Sequence, residues 1–133
     1  MSAKILVVDD DPDIREALTL ILESRGYSVV SAQDGLEGLA TLKAEKPDLM
    51  ILDLLMPKMD GFAVCKELQD PRWSRYKEIP ILILSSVREE ASRRRYELET
   101  GLELNVDDYV EKPVSPEVLL HRVEKLLNKT GKE

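Results

Sequence analysis

Three consecutive aspartates, Asp9-Asp10-Asp11, close one apolar run of the chain, and another aspartate, Asp53, closes a second. Carboxylates held a few ångströms apart repel, and one of them tends to take up a proton. A hard divalent cation removes that difficulty. Magnesium suits such a set best, because it prefers oxygen ligands and keeps several waters beside one or two carboxylates. Manganese would accept the same donors. An ion there could also take an oxygen of an incoming phosphoryl group, so the chemistry to expect is metal-assisted phosphoryl transfer. Ser85-Ser86 offers hydroxyls that could donate to a phosphoryl oxygen, and Lys112, before Pro113, offers a cation that could pair with one. Each signal is weak by itself. Asp9-Asp10-Asp11 alone reads as a polar strand end leading into a helix N-cap, Ser86-x-x-Glu89 as a capping box, and Lys112 as a solvated lysine.

Their weight comes from the elements that must position them. Short apolar runs alternate with amphipathic stretches from end to end. Lys4 to Val8 suits a strand buried on both faces. Ile14, Ala17, Leu18, Ile21 and Leu22 form one stripe of a helix that admits Pro12 in its first turn and closes at Gly26. Tyr27 to Ala32 predicts a second strand. The helix after it turns Leu36, Leu39, Ala40 and Leu42 inward and ends before Pro47. Leu49 to Leu52 predicts a third strand, Gly61 to Leu68 a short helix, and Ile79 to Leu84 a fourth strand. Arg88 to Leu104 predicts a longer helix, Asp107 to Glu111 a fifth strand, and Pro116 to Asn128 a last helix with Leu119, Val123, Leu126 and Leu127 on one face. Five alternating βα units give an α/β fold, a doubly wound, flavodoxin-like parallel sheet of order 2-1-3-4-5. Ligands bind such sheets beyond the carboxyl ends of the strands where the order reverses, here between the first and third strands. Asp9, Asp10 and Asp53 are delivered to that place.

The totals agree with one domain over residues 1–133, its core at about 4–129 and its C-terminal tail frayed. A hydrophobic fraction of 43% and a charged fraction of 34% describe a soluble globular chain. The net charge of −7 disfavours direct nucleic-acid contact, which needs a basic face. A single cysteine, Cys65, excludes an internal disulfide, and no apolar run approaches the ~20 residues that cross a bilayer. The N-terminus turns acidic too soon for a secretory signal, so a cytoplasmic location is expected.

The segments KILVVDDDPDIR, PDLMILDLLMPKMDGF, IPILILSS and DDYVEKP, in this order and spacing, resemble the receiver domains of two-component response regulators, from about Lys4 to Leu127. The resemblance implies a chemotaxis-regulator-like fold. It also implies that Asp53 is the phosphoacceptor, attacking phosphohistidine on a histidine kinase or phosphotransfer protein. Asp10 would ligate magnesium directly, Asp9 through water, and the Leu55 main-chain carbonyl would complete the protein ligands beside Asp53. Ser85 would be the switch hydroxyl, Tyr109 the aromatic switch, and Lys112 the phosphate-binding cation, its bond to Pro113 cis. Phosphorylation would switch the face built from the fourth helix, fifth strand and fifth helix. A downstream protein or an attached output domain would read that face, with a phosphorylation-dependent homodimer left open and no membrane partner. Such a chain signals rather than catalyses, beyond taking up and slowly losing its own phosphoryl group.

Two features depart from the family pattern. The stretch between Ser85 and Lys112 is about five residues longer than is usual, and Asn105-Val106 stands where Gly-Ala is common. Leu55 and Val87 are apolar where a side chain could orient a hydrolytic water, which predicts slow self-dephosphorylation. Arg88, Arg93, Arg94 and Arg95 read as a solvated helix face, or as a docking patch for an acidic partner. Cys65 reads as core and His121 as exposed. A haloacid-dehalogenase-like phosphatase would need an acid at Leu55, and a flavin or nucleotide module would need a less acidic loop than DDDPD. A degenerate receiver that works only as a protein-interaction module is the remaining alternative, and the full set of expected site residues speaks against it.

Overall fold

A computed structural model describes residues 2–86, 91, 93–95, 97, 98 and 106–131. Five parallel strands form one sheet: β1 (Lys4–Val8), β2 (Ser28–Ala32), β3 (Leu49–Asp53), β4 (Ile81–Ser85) and β5 (Asp108–Glu111). Their order is β2-β1-β3-β4-β5, as the alternation of elements predicts. β1, β3 and β4 lie inside the sheet and are apolar almost throughout, because helices cover both of their faces. β2 is an edge strand and is correspondingly half exposed. Tyr27, expected to begin it, lies outside the strand.

The two faces of the sheet carry separate cores. Ile5, Val7, Leu49, Ile51, Leu82 and Leu84 pack against Leu18 and Leu22 of α1 (Pro12–Ser24) and against the C-terminal helix (Pro116–Thr130). Leu6, Val8, Met50, Leu52, Ile81 and Ile83 pack against α2 (Gly35–Glu45) and α3 (Gly61–Leu68). Successive strand residues point to opposite faces, so every strand serves both cores.

α2 differs from expectation. Its inward residues are Gly35, Gly38, Leu39 and Leu42, whereas Leu36 is 57% exposed and Ala40 is exposed. The cause is close packing on β1: a Cβ at Gly38 would lie 3.1 Å from Val8 Cγ1. A glycine face contributes no apolar signal to a sequence pattern, so the stripe is read too far toward Leu36. In α1, Ala17 is likewise exposed while Leu18 and Leu22 are buried. A 3₁₀ segment, Pro71–Tyr76, which no periodicity announces, follows α3. It buries Trp73, whose indole N–H donates to Glu67 Oε1 at 2.9 Å.

The expected fourth helix falls largely outside the described residues, although residues 91, 93–95, 97 and 98 are helical. Val87, Arg88, Glu89 and Asn105 also lie outside them. Cys65 is buried and His121 exposed, as expected. Burial, with Asp60 nearby, pushes the Cys65 thiol up to about 12, so it stays protonated. Among the described residues no helix is long and apolar enough to cross a membrane.

Candidate phosphoacceptor and metal site

The register of the sheet assembles the acidic cluster. Val8 of β1 lies opposite Leu52 of β3, so Asp9 and Asp53, the next residue of each chain segment, arrive side by side at the same rim. Both are buried: Asp9 is fully covered and Asp53 is 2% exposed. Asp10, the next residue after Asp9, is exposed. One carboxylate oxygen from each of Asp9, Asp10 and Asp53 lies within 4.8 Å of the others.

Local bonds hold Asp9 in place. The Asp11 main-chain N–H donates to Asp9 Oδ1 at 2.9 Å, and the Asp9 N–H donates to the Ala32 carbonyl at 3.1 Å. Asp11 in turn caps α1, its side chain accepting from the Asp13 N–H. Asp9 Oδ2 is buried and has no hydrogen-bond partner. A buried carboxylate oxygen without a donor is costly. Burial, chiefly, and the neighbouring Asp53 and Asp10 charges raise the Asp9 pKa to about 6, against the pull of the Asp11 N–H and Lys112.

Lys112 partly offsets that charge. Its ammonium donates to Asp53 Oδ1 at 3.0 Å and lies 3.6 Å from Asp9 Oδ2. The side chain follows β5 and precedes a cis bond to Pro113. The Lys112 main-chain N–H donates to the Ser85 carbonyl at 2.7 Å, which ties the ends of β4 and β5 together. Ser85 is the last residue of β4 and is 2% exposed. Leu55 is half-buried in the loop after β3. Tyr109 is half-buried opposite Ile83, with the Arg93 guanidinium 4.5 Å from its ring centroid. Arg94 and Arg95 are exposed.

The loop from Leu54 to Asp60 is fixed at its base. The Gly61 N–H donates to the Leu54 carbonyl at 2.9 Å, and a Cβ at Gly61 would lie 2.5 Å from the Asp53 carbonyl oxygen. Asp34, which sequence reasoning did not single out, is 4% exposed, caps α2 through the Glu37 N–H, and faces the Lys58 ammonium at 3.8 Å. Arg15, also missed, donates from Nη1 to the Asp9 carbonyl at 2.7 Å. An arginine one turn into a helix carries no signal that it folds back over its own N-terminus.

The ligand atoms at this rim are all oxygens, three of them carboxylate, and one is buried without a hydrogen-bond partner. That set fits a hard divalent cation. The response regulator receiver domain model matches residues 5–124. The chain is a member of that receiver-domain family. It is 42% identical over 130 residues to the alkaline phosphatase synthesis transcriptional regulatory protein PhoP of Bacillus subtilis, covering 98% of this chain and 50% of that protein. It is 41% identical over 133 residues to the response regulator MprA of Mycobacterium tuberculosis, covering 100% of this chain and 54% of that protein. The receiver thus spans about half the length of these curated relatives. Among solved structures, the chemotaxis protein CheY4 of Vibrio cholerae superposes with a TM-score of 0.77 at 32% identity, covering 96% of this chain and 100% of that one. A receiver domain protein of Methanospirillum hungatei superposes with a TM-score of 0.79 at 27% identity, covering 99% and 98%. The acidic net charge describes this receiver's own surface, so the expected absence of nucleic-acid contact does not extend to longer proteins built on it.

Proposed function

We propose that this receiver domain accepts a phosphoryl group on Asp53 from a phosphohistidine of a histidine kinase or phosphotransfer protein. The observation that supports the reading best is the pairing of two buried carboxylates, Asp53 and Asp9, one of which keeps an oxygen without a hydrogen-bond partner, beside the Lys112 ammonium. Asp53 ends β3 at the rim beside the exposed Asp10, where a carboxylate oxygen would attack phosphorus as the phosphorus–nitrogen bond to histidine breaks. The product is an acyl phosphate, and the leaving imidazole takes up a proton.

Asp9, Asp10, Asp53 and the Leu55 carbonyl would hold magnesium. When bound, it supplies positive charge against the carboxylates and the phosphoryl oxygens. Lys112, already 3.0 Å from Asp53, transfers its hydrogen bond to a phosphoryl oxygen. Ser85, at the end of the adjacent strand, donates its hydroxyl to another. Phosphorylation adds about −1.5 to −2 charge at pH 7. Lys112 and Ser85 belong to the ends of β5 and β4, so rearranging them biases the packing of Tyr109 and of the face around β5. A downstream protein, an attached output domain or a second copy of the chain then reads that face, in the cytoplasm.

The test is intact mass after incubation with magnesium and acetyl phosphate. The wild type should gain one phosphoryl group, and EDTA or Asp53→Asn should abolish the gain. An adduct that persists in Asp53→Asn would reject Asp53 as the acceptor.

A further inference from the structure

Asp10 presents a difficulty that the cluster does not solve by itself. Asp9 is held by the Asp11 N–H and by burial, but Asp10 is exposed, and its carboxylate must still converge with the other two. Its direction therefore depends on the backbone that carries it. The Asp9 carbonyl and the Asp10 N–H belong to one rigid peptide plane. Fixing that carbonyl fixes the Asp10 N and Cα. The Asp11 N–H, held by Asp9 Oδ1, restrains the next peptide, so the two bonds together limit the direction in which the Asp10 side chain leaves the chain.

The Asp9 carbonyl is held by Arg15. The side chain rises from α1, one turn in, and its Nη1 donates to the carbonyl at 2.7 Å. Arg15 is half-buried, and its own main-chain N–H donates to the Asp11 carbonyl at 3.0 Å. The segment from Asp9 to Arg15 is thus a closed set of bonds. Asp11 N–H fixes the Asp9 carboxylate, Arg15 fixes the Asp9–Asp10 peptide, and Asp11 seats the helix that carries Arg15. A guanidinium suits this position because its planar fork is pre-organised and always charged.

We propose that Arg15 is a positioning residue for the metal site: it orients the Asp9–Asp10 peptide so that the Asp10 carboxylate converges with Asp9 and Asp53. The inference rests on the receiver reading above. It separates cleanly from a simple charge effect, because the two predict opposite signs. As a charge alone, Arg15 repels a divalent cation, and removing it would tighten magnesium binding. As an orienting group, it acts like the outer partners of metal ligands, whose removal typically weakens affinity 10–100-fold.

The experiment is a magnesium titration followed through the main-chain amide NMR shifts of Asp9 to Asp11, with the wild type, Arg15→Met and Arg15→Lys. Methionine keeps much of the stem and loses the donor; lysine keeps the charge and can donate once. Arg15→Met should bind magnesium at least tenfold more weakly, and Arg15→Lys should fall between it and the wild type. Thermal unfolding in EDTA should differ by only a few degrees among the three. Unchanged or tighter binding by Arg15→Met overturns the proposal. So does a loss of affinity accompanied by general unfolding of that variant while Arg15→Lys, which stays folded, binds as the wild type does in every respect except stability. A wild type that neither binds magnesium nor accepts phosphate from acetyl phosphate overturns the phosphoacceptor reading, and this inference with it.

Discussion

Replacing Asp9 by asparagine should stabilise the metal-free protein, although it damages the site. The Asp9 pKa is about 6 in the folded chain and 3.8 unperturbed. The folded state therefore holds this proton more tightly than the unfolded state does. Stability from this group is fully present at low pH and is lost as the pH rises through the window from about 4 to 6. Above it, the ionised carboxylate costs about 3 kcal/mol, at roughly 1.4 kcal/mol per pH unit. Asparagine removes that cost and keeps an oxygen for the Asp11 N–H, but it buries an N–H₂ group with two donors, and leaving one of them unpaired costs on the order of 1 kcal/mol. Its new N–H₂ can donate toward the neighbouring Asp53 carboxylate. The net gain at pH 7.5 is about 2 kcal/mol, a rise of roughly 6 °C in Tm for a domain of this size. Urea unfolding in EDTA measures it, with fluorescence of the buried Trp73 as the signal. The gain should shrink by about 2 kcal/mol at pH 4.5, where Asp9 is mostly protonated in the folded wild type. Saturating magnesium should reverse the order, since only the wild type binds it well: about 2.7 kcal/mol at a hundredfold excess over Kd. An Asp9→Asn variant no more stable than wild type in EDTA at pH 7.5, or a gain independent of pH, would refute the reasoning.

Gly61→Ala should cost about 1–3 kcal/mol and slow phosphorylation, because the new Cβ meets the Asp53 carbonyl oxygen at 2.5 Å and Leu54 Cα at 2.8 Å, main-chain atoms that cannot swing aside. Unchanged urea midpoint and unchanged rate with acetyl phosphate would show that the loop base yields. Phospho-Asp53 should persist for minutes or longer in the purified domain, since Leu55 is apolar and cannot orient a hydrolytic water; a lifetime of seconds, read by intact mass after removal of the donor, would exclude that account.

The carboxylates of the site were legible because they interrupt strands. A buried parallel strand is a continuous apolar run, so an aspartate at its end is conspicuous, and the right-handed crossover rule sends the first and third strands to neighbouring places. For that reason the sequence alone brings Asp53 and Asp9 to one place. On α2 the pattern places Leu39 and Leu42 inward correctly but misses the glycines and misplaces Leu36 and Ala40, for an equally physical reason. Gly35 and Gly38 face inward because there is no room for a Cβ, and an absent side chain leaves no hydrophobic signal. The 3₁₀ segment around Trp73 has no period that a single aromatic could reveal.

What the sequence determined by itself is the alternation of elements, the strand order and the carboxylates at the ends of the first and third strands, since these depend on periodicity and on residues at element ends. Tertiary structure decided which groups act on one another. Only the fold brings the Lys112 ammonium to 3.0 Å from Asp53 across 59 residues, and leaves Asp9 Oδ2 buried without a donor. Only the fold turns Arg15 back onto the Asp9 carbonyl. Burial and distance set the charge balance of the site, and both arise when separate strands meet at one rim.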